Sequence, residues 1–573
     1  MKFRWSIAPP QPALAAHLAE AAKISPLLAQ CLLNRGFSEP DKINCFLDPR
    51  LKMLADPFLL PNMAAAVDRL LTARERDESL VIFGDYDVDG VTSAALLFEV
   101  FSALGWKVDF YLPHRLDEGY GLSQEGVENC LKKFPVKLLL AVDCGSTAVP
   151  TISWLKGEGI DVIVLDHHQV SDPLPAAVAL VNPQLAPPDS PKKFVEVCSA
   201  GLAFKLAHAL IKRTRELGWT QAHEFDLRPL LDLVALGTIA DLVPLTGENR
   251  IFTKIGLEFL NESKRPGIVA LKNVAQINSE IGCYEVGFQL APRLNAAGRL
   301  ENAEEALRLL LCRDVAEAKP IAESLDSRNR ERQEIEKCIT TEVIGAVRAR
   351  FNSEIDFVIV EGQLLWHIGV VGIVASRVLH EFYRPTFIIG GEGNSWRGSG
   401  RSIDGFDLAA ALRECDDLLI KHGGHAMAAG LTIAPENLEA FRCRLNEIAR
   451  RTLKREQLQP VLRLDAEVNL SDVSLERVQE LETLKPLGQK NPAVNLCARN
   501  LTHQRTPQRM GKQNQHAKFW VGSGGKVLEA VWWNCGEASL PKVSFDLAFT
   551  PQINEFNGKS SVQLKILDWR PVV

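Results

Sequence analysis

The stretch Leu80-Val-Ile-Phe-Gly-Asp-Tyr-Asp-Val-Asp-Gly90 places an apolar run directly before three aspartates that are spaced two residues apart. Further apolar runs follow at residues 108–112, 137–143, 161–166 and 177–181, with helical patterns between them. Near-continuous apolar strands that alternate with helices are typical of a parallel sheet covered on both faces. The sequence therefore predicts a doubly wound α/β domain, whose ligands lie at the carboxyl ends of the strands.

Acidic and imidazole side chains follow three of these predicted strands. They are Asp85, Asp87, Asp89, Asp143, Asp166, His167 and His168. If the first strand continues, its three carboxylates project from one face and repel each other, and Mg²⁺ or Mn²⁺ would relieve that repulsion. A polar loop in which Asp89-Gly90 turns and caps the next helix explains that motif equally well when it is taken alone. Coincidence at three neighbouring strand ends favours a divalent-metal site.

Asp241 lies in the apolar segment Leu230–Pro244, where helical spacing places it on one stripe with Val234 and Thr238. A buried carboxylate is costly unless it is paired or binds a metal, so Asp241 is a candidate ligand. The alternative is a terminal turn residue before Pro244.

Changes of pattern divide the 573-residue chain into several modules. We expect an N-terminal segment (1–50), a parallel-sheet catalytic domain (51–300), a helical connector (301–353), a second, smaller α/β domain (354–457) and a C-terminal β-barrel (458–573). The sequence gives no account of residues 1–40.

Composition limits where the protein works and what it binds. No run approaches the roughly 18 apolar residues needed to cross a bilayer, and the 12 scattered cysteines form no Cys-x-x-Cys pair. We therefore expect a cytoplasmic protein with reduced thiols and no membrane contact. A net charge of −6 means that any nucleic-acid binding depends on local basic patches.

One such patch is predicted between Thr483 and Leu528, which contains eight basic and no acidic residues. Phe519 and Trp520 lie within it and offer stacking surfaces for bases. The alternative is a solvated basic strand face with aromatic core residues beneath it.

Six motifs in order resemble the DHH phosphoesterase superfamily, and within it a branch of exonucleases specific for single-stranded DNA. They occupy residues 84–90, 166–168, 236–245, 292–300, 398–402 and 423–430. The resemblance implies that the successive modules are a DHH domain, a helical connector, a DHHA1 domain and an oligonucleotide-binding (OB) fold. Residues 486–492 depart from the family's aromatic-and-glycine turn, so the resemblance does not extend to contacts of that segment with a DNA strand.

The resemblance also implies roles for individual residues. Asp85, Asp87 and Asp143 would bind one cation, and Asp89, Asp143, His167 and Asp241 the other, with Asp143 bridging. His168 would face the substrate, with Asp166 fixing an imidazole. The implied 5′-phosphate and DNA contacts are Arg115, Arg293, Arg299, Ser399, Arg401 and His425.

The expected function is a 5′→3′ exonuclease that needs two divalent cations, Mn²⁺ or Mg²⁺, and releases 5′-mononucleotides from single-stranded DNA during repair and recombination. A helicase and a single-strand-binding protein are expected partners. The alternatives are a DHH hydrolase of small substrates, such as short RNA, cyclic dinucleotides or pyrophosphate, and a DNA-binding replication factor without catalysis.

Overall fold

The computed structural model describes residues 3–114, 117–119, 121–187, 194–300, 302–536 and 538–572. The chain forms two compact units. The first unit contains Pro12–Asn329 and Glu480–Ala493, and the second contains the N-terminal residues up to Gln11, Arg330–Gln479 and the C-terminal residues from Val494. Each unit is therefore assembled from separate parts of the sequence.

The α-helices are α1 (Pro12–Ala22), α2 (Pro26–Asn34), α3 (Pro40–Leu47), α4 (Met63–Glu75), α5 (Val88–Ala103), α6 (Gln124–Lys133), α7 (Val149–Gly157), α8 (Ser199–Glu216), α9 (Thr220–Glu224), α10 (Leu231–Ala240), α11 (Gly247–Glu262), α12 (Pro266–Val274), α13 (Cys283–Glu285), α14 (Ala291–Leu300), α15 (Glu304–Leu311), α16 (Val315–Arg350), α17 (Val371–Phe382), α18 (Leu408–Arg413), α19 (Leu438–Thr452) and α20 (Leu475–Leu481). A π-helical turn, Val286–Leu290, joins α13 to α14. Short 3₁₀ helices lie at Leu51–Met53, Pro57–Leu59, Pro183–Leu185, Arg228–Leu230, Asp416–Leu418, Pro435–Asn437, Arg455–Leu458, Leu470–Asp472 and Glu482–Leu484.

The strands are β1 (Arg4–Ile7), β2 (Leu80–Gly84), β3 (Val108–Tyr111), β4 (Leu138–Val142), β5 (Asp161–Leu165), β6 (Ala179–Val181), β7 (Ile359–Leu364), β8 (Thr386–Glu392), β9 (Ser395–Arg401), β10 (Leu419–Gly424), β11 (Ala428–Ile433), β12 (Val461–Leu464), β13 (Ala466–Glu467), β14 (Leu496–Met510), β15 (His516–Ser523), β16 (Lys526–Trp532), β17 (Phe545–Phe556) and β18 (Lys559–Pro571).

The first unit is built on a parallel sheet in the order β3-β2-β4-β5-β6. Every residue of β2 and β4 is buried, because helices cover both faces of the sheet. The register aligns Gly84 with Val142 and Val142 with Leu165, so the strands end at one edge. The predicted parallel-sheet domain is confirmed, and the switch in strand order beside β2 lies where ligands are expected.

Three helices position the residues beyond this edge. Helix α5 follows β2 directly and packs against both α8 and α10. Helix α10 is apolar apart from Asp232 and Thr238, and it is buried until its last residue, Ala240, which is half-buried. Its carboxyl end therefore places Asp241 at the edge of the core, with the side chain 23% exposed.

The second unit contains a smaller sheet in the order β10-β11-β9-β8-β7, packed against α17 and α19. It also contains a sheet in the order β13-β14-β15-β16-β18-β17, in which β14 pairs with β17 and closes a barrel. The prediction of a second α/β domain followed by a β-barrel is confirmed. No helix among the described residues is long and apolar enough to cross a membrane.

Two segments lie in a different unit from their sequence neighbours. Strand β1 pairs in parallel with β12, and the Trp5 indole donates to Asp568 at 2.9 Å, so the N-terminus belongs to the second unit. Glu480–Ala493, which the sequence assigned to the barrel, packs in the first unit. Neither exchange has a local sequence signal, because both depend on contacts between residues hundreds of positions apart.

Candidate metal centre

The three aspartates after β2 converge, but not in the predicted way. The strand ends at Gly84, so Asp85 and Asp87 lie in a tight loop and Asp89 lies in the first turn of α5. Asp87 caps that helix, since its Oδ1 accepts from the backbone N–H groups of Asp89 at 2.9 Å and Gly90 at 3.1 Å. The expectation of one strand face is wrong; the helix start turns the carboxylates together.

Gly90 permits this tight loop. A Cβ at this position would lie 2.5 Å from the carbonyl oxygen of Asp85, closer than two such atoms can approach. The glycine is therefore required by the close approach of the aspartate loop to its own helix.

Asp143 follows β4 in a strained conformation. Its φ is +62°, and the residue is 1% exposed. A left-handed conformation in a residue other than glycine costs roughly 1–2 kcal/mol and persists where the surroundings enforce it. The Ser199 hydroxyl donates to Asp143 Oδ1 at 2.9 Å and fixes the carboxylate.

Asp89 is held by the start of α8. The N–H groups of Ser199 and Ala200 donate to its two carboxylate oxygens, each at 2.8 Å. The positive end of the helix dipole therefore offsets part of the buried negative charge. The sequence analysis missed Ser199 and Ala200; the small residues that open this helical pattern are the one signal that could have suggested them.

Asn295 is a further residue that the sequence analysis missed as an individual contact, although it lies within a quoted motif. Its side-chain oxygen accepts from the backbone N–H of Val88 at 3.2 Å. Nearby, a Cβ on Gly298 would lie 2.7 Å from the carbonyl oxygen of Tyr86. Helix α14 thus packs directly on the aspartate loop.

His167 faces three carboxylates. Its Nε2 lies 3.8 Å from Asp89 Oδ2, 3.5 Å from Asp143 Oδ1 and 3.6 Å from Asp241 Oδ2. Among the described residues, neither His167 Nε2 nor Asp241 Oδ2 has a hydrogen-bond partner, although both atoms are buried. Buried polar atoms left unsatisfied at this spacing are what a bound cation would satisfy.

Three overlapping groups of side chains have ligand atoms within 4.8 Å of one another. The first two, here called the ligand groups, are Asp85, Asp87 and Asp143, and Asp89, His167 and Asp241; the third, Asp143, His167 and His168, links them. Oxygen-rich sets with one imidazole suit Mg²⁺ and Mn²⁺. Asp143 belongs to the first ligand group and lies beside the second, since its Oδ1 is 3.5 Å from His167 Nε2.

The electrostatics of the protein alone indicate a shortage of positive charge. Burial, and then the charge of Asp87, raise the pKa of Asp89 to about 6. Burial, and then the charge of Asp89, raise the pKa of Asp241 to about 8 and that of Asp143 well above its usual range. Burial lowers the pKa of His167 to about 4, which leaves its imidazole neutral and able to act as a ligand.

His168 is tied to the neighbouring acid. Its Nδ1 donates to Asp166 Oδ1 at 2.7 Å, and Asp166 also accepts from the N–H of Ser146 at 3.1 Å. Burial opposes the charged form of His168, but the bond to Asp166 outweighs it and raises the pKa of His168 to about 9. The side chain is 39% exposed, so the ring edge opposite Asp166 can face a substrate.

The arginines expected at the phosphate are placed unevenly. Arg115 lies outside the described residues. Arg299 is half-buried on α14, one residue after the glycine that packs on the aspartate loop. Arg293 pairs with Asp326 at 2.9 Å and donates to the Gln289 carbonyl at 2.7 Å, which gives it a structural partner; phosphate binding by Arg293 stays a prediction.

Ser399 and Arg401 lie together on β9 of the second unit. Arg401 Nη1 donates to Ser399 Oγ at 3.0 Å, and a Cβ on Gly372 would lie 3.0 Å from that Oγ. Gly372 is the second residue of α17, so a helix start faces this pair, an arrangement that suits an anion. His425 lies exposed in the turn between β10 and β11, near the point where Ala428 pairs with Arg401.

The barrel separates the two aromatic residues that were expected to stack on bases. Phe519 is fully buried in the barrel, so the prediction that it contacts DNA is wrong; successive residues of a strand face opposite sides. Trp520 points outward, with Arg505 and Lys518 each 5.3 Å from its ring centre. Of these two residues, Trp520 is therefore the one that can stack on a base, and two cationic side chains lie beside its ring.

Fold and site together define the class of this protein. A family model of the DHH N-terminal domain matches residues 79–238, one of the DHHA1 domain matches 355–451, and one described as the RecJ OB domain matches 464–568. The chain is therefore a DHH-family protein with DHHA1 and OB domains, as the motifs predicted.

Whole-chain relatives narrow this class. The single-stranded-DNA-specific exonuclease RecJ of Bacillus subtilis is 37% identical over 577 residues, covering 99% of this chain and 71% of the relative. RecJ of Escherichia coli K12 is 35% identical over 570 residues, covering 96% and 97%. The crystal structure of Thermus thermophilus RecJ with Mn²⁺ matches with a TM-score of 0.85 at 30% identity, covering all of this chain and 80% of that one. The chain belongs to the RecJ family.

Proposed function

We propose that this protein is a 5′→3′ exonuclease specific for single-stranded DNA, dependent on two divalent cations. The observation that carries the proposal is the two ligand groups, of which one contains Asp143 and the other lies beside it, in a chain whose relatives are named single-stranded-DNA-specific exonucleases. The structural neighbours from Thermus thermophilus are RecJ complexes with Mn²⁺ and with Mg²⁺. Asp85, Asp87 and Asp143 would hold one cation, and Asp89, Asp143, His167 and Asp241 the other.

When bound, two such cations lower the pKa of a water molecule and stabilise charge on the attacking and leaving oxygens. The protein supplies the frame for this chemistry. The N–H groups at the start of α8 and the Ser199 hydroxyl orient Asp89 and Asp143 before substrate arrives. Because Asp166 holds His168 Nδ1, His168 Nε2 can donate to a phosphate oxygen of the scissile diester.

The reaction adds one water molecule across the diester nearest the 5′ end. The bond between phosphorus and the 3′-oxygen breaks, and that oxygen leaves as a hydroxyl. The products are a 5′-mononucleotide and a strand that again bears a 5′-phosphate. Each shortened strand is therefore the next substrate, which suits repeated 5′→3′ digestion.

Recognition of the terminal phosphate falls, in this proposal, to Ser399 and Arg401, with Arg115, Arg299, Arg293 and His425 as further contacts. The guanidinium of Arg401 beside a hydroxyl and the start of α17 form a set of donors that suits a phosphate. Trp520, flanked by Arg505 and Lys518, would stack on a base further along the strand.

The expected partners and cellular setting follow from a single-stranded substrate. A single-strand nuclease requires an opened duplex, so a helicase and a single-strand-binding protein are the expected partners. We expect the reaction to take place in the cytoplasm, where chromosomal DNA of a bacterium is repaired and recombined.

The test uses the purified full chain with Mn²⁺ or Mg²⁺ and four substrates: 5′-labelled and 3′-labelled single strands, a blunt duplex, and pyrophosphate. We expect immediate release of labelled mononucleotide from the 5′ label and slow hydrolysis of the duplex. Preference for pyrophosphate would instead support a small-substrate DHH hydrolase. Strand binding without hydrolysis would support a non-catalytic DNA-binding factor, and release from the 3′ end would contradict the proposed polarity.

A further inference from the structure

Residues 480–493, here called the strap, belong to the C-terminal part of the sequence but pack in the first unit. Arg250 of α11 anchors them. It is 1% exposed, and its guanidinium donates to the carbonyl oxygens of Thr483 at 3.2 Å, Leu484 at 3.0 Å and Lys485 at 3.0 Å. A buried guanidinium is costly unless its donors are satisfied, so the strap and Arg250 fix each other.

The strap also closes on itself. Asn491 is fully buried, and its amide donates to the carbonyl oxygens of Leu484 at 2.7 Å and Pro486 at 2.8 Å. Arg35 of the first unit donates to the Asn491 side-chain oxygen at 3.1 Å. The turn that departs from the family pattern is thus a compact element of the first unit and makes no barrel strand.

The loop after the metal ligand Asp241, residues 242–246, is strained. Leu242 has a φ of +58° and is 69% exposed, so an apolar side chain lies in solvent on a left-handed backbone. Such a conformation costs roughly 1–2 kcal/mol and persists where contacts on both sides hold it. Before Leu242 the backbone is held by helix α10. After it, the backbone is held by the residues that contact Leu245 and Thr246.

Two contacts of the loop lead directly or indirectly to the strap. The N–H of Leu245 donates to the carbonyl oxygen of Gln489 at 2.9 Å. The Thr246 hydroxyl donates to Glu196 at 2.9 Å, and Glu196 forms an ion pair with Lys490. The strap therefore contacts the loop at Leu245, four residues after the proposed metal ligand Asp241.

A glycine makes this contact close. A Cβ on Gly488 would lie 2.7 Å from Leu245 Cδ1 and 3.1 Å from its Cγ. Gly488 is not one of the glycines with a positive φ. A glycine is needed here because Leu245 approaches closely, and not because of the backbone conformation. A Cβ at position 488 must therefore displace the side chain of Leu245, a buried residue of the loop.

We propose that the strap is a positioning element for the metal ligand Asp241. This inference rests on the proposed metal centre and adds a residue set that acts on one of its two ligand groups. Asp241 is the ligand supplied by a helix end and loop, and its Oδ2 lies 3.6 Å from His167 Nε2. Asp85, Asp87 and Asp143 follow β2 and β4, away from this loop in sequence, so a displaced strap should weaken one cation site and spare the other.

The test is Gly488→Ala in the full-length protein. Mn²⁺ is titrated into metal-free wild type and variant by isothermal titration calorimetry. We expect two binding events in the wild type, of which one is weakened about tenfold or more in the variant and the other is unchanged, the range typical for residues that support metal ligands. kcat on a short 5′-phosphorylated strand should fall while KM stays within about twofold.

Two further variants separate positioning from general destabilisation. Gly488→Ala combined with Leu245→Val removes the atom that the new Cβ meets, and should restore the weakened binding event. Gly345→Ala is the matched control, because a Cβ there meets nothing within 4 Å. It should leave Mn²⁺ binding unchanged.

Each outcome decides between the proposals. Equal Mn²⁺ binding by wild type and Gly488→Ala, with a lower melting temperature for the variant, would show that the strap is merely structural. If Gly488→Ala does not fold, Lys490→Ala replaces it, since it removes one ion pair at the surface; unchanged Mn²⁺ binding there would overturn the inference. Failure of the wild type to bind Mn²⁺ would overturn the proposed function itself.

Discussion

The metal centre of the first unit and the barrel face of the second unit are built on different backbone geometries. In the metal centre, the proposed ligands come from strand ends, a helix start and a helix end that all meet at one edge of a parallel sheet. On the barrel, neighbouring residues alternate between core and solvent, so Phe519 and Trp520 have opposite environments. Because the proposed ligands converge from several elements, an error of one residue in a predicted strand end still places them at the same edge of the sheet. On the barrel, the same error exchanges every core-facing residue for a solvent-facing one.

The largest effect is expected in the metal centre. Asp143→Asn keeps the side-chain volume and tolerates the φ of +62°, but it removes a charge from the Asp85-Asp87-Asp143 group, and that charge also lies 3.5 Å from His167 Nε2. Hydrolysis of a single strand should fall by about 10³-fold or more, about 4 kcal/mol of lost transition-state stabilisation. Initial rates with saturating Mn²⁺ measure this.

Strand binding provides the control for that variant. The affinity for a single strand, measured by fluorescence anisotropy, should be unchanged, because the contacts of the barrel and of β9 are intact. Joint loss of binding and hydrolysis would mean that Asp143 is required for folding and not specifically for catalysis.

A smaller effect is expected at β9. Arg401→Ala removes the guanidinium beside Ser399 and should lower kcat/KM for a 5′-phosphorylated strand by about 10–100-fold, the value of a charged hydrogen bond to phosphate. A strand with a 5′-hydroxyl should be cut equally slowly by variant and wild type. An equal loss on both strands would contradict a role in recognising the terminal phosphate.

The barrel should show a weaker and length-dependent effect. Trp520→Ala should raise KM about tenfold on a long strand, within the roughly 1–3 kcal/mol of one base-stacking contact, and leave a very short strand unaffected. Phe519→Leu is the matched contrast: it should lower the melting temperature with little change in KM, because Phe519 is buried. The reverse pattern would mean that the strand has been assigned to the wrong face.

The smallest effect concerns pH and the metal-free protein. The pKa of Asp241 is raised from 3.8 to about 8, so the folded state retains a proton that the unfolded state loses. The stability this contributes is complete below about pH 4 and is lost as the pH rises through about 8. In EDTA the melting temperature should therefore fall on going from pH 6 to pH 8, by about 2–4 °C more in the wild type than in Asp241→Asn.

Mn²⁺ tests the cause of that difference. If repulsion among the carboxylates is responsible, saturating Mn²⁺ should raise the melting temperature of the wild type more at pH 8 than at pH 6. An equal gain at both pH values would show that these carboxyl groups do not control the stability of the centre.

Sequence reasoning succeeded where chemistry coincides with strand ends. The apolar runs before Asp85, Asp143 and Asp166 were enough to predict the sheet and to bring their acids together. Spacing alone suggested the wrong geometry for Asp87 and Asp89, because a strand that continues to Asp89 and a helix that starts at Val88 look alike when the motif is short.

Other features depend on contacts that no local pattern records. Ser199 and Ala200 bind Asp89 across 110 and 111 residues of sequence, and backbone N–H groups have no side-chain signature. Phe519 and Trp520 differ by one position, so the phase of β15 decides their roles, and two adjacent aromatics do not reveal that phase. The pairing of β1 with β12 is equally invisible from the composition of either strand.

The anchoring of the strap by Arg250 also sets an order of events during synthesis. The carbonyl oxygens that satisfy this guanidinium lie 233 to 236 residues later in the chain. At about 5–20 residues per second, a ribosome needs about 10–50 s to deliver them after Arg250 has been made. Throughout that interval the sheet and its aspartates are already synthesised, while the Arg250 guanidinium lacks the carbonyl acceptors that residues 483–486 provide.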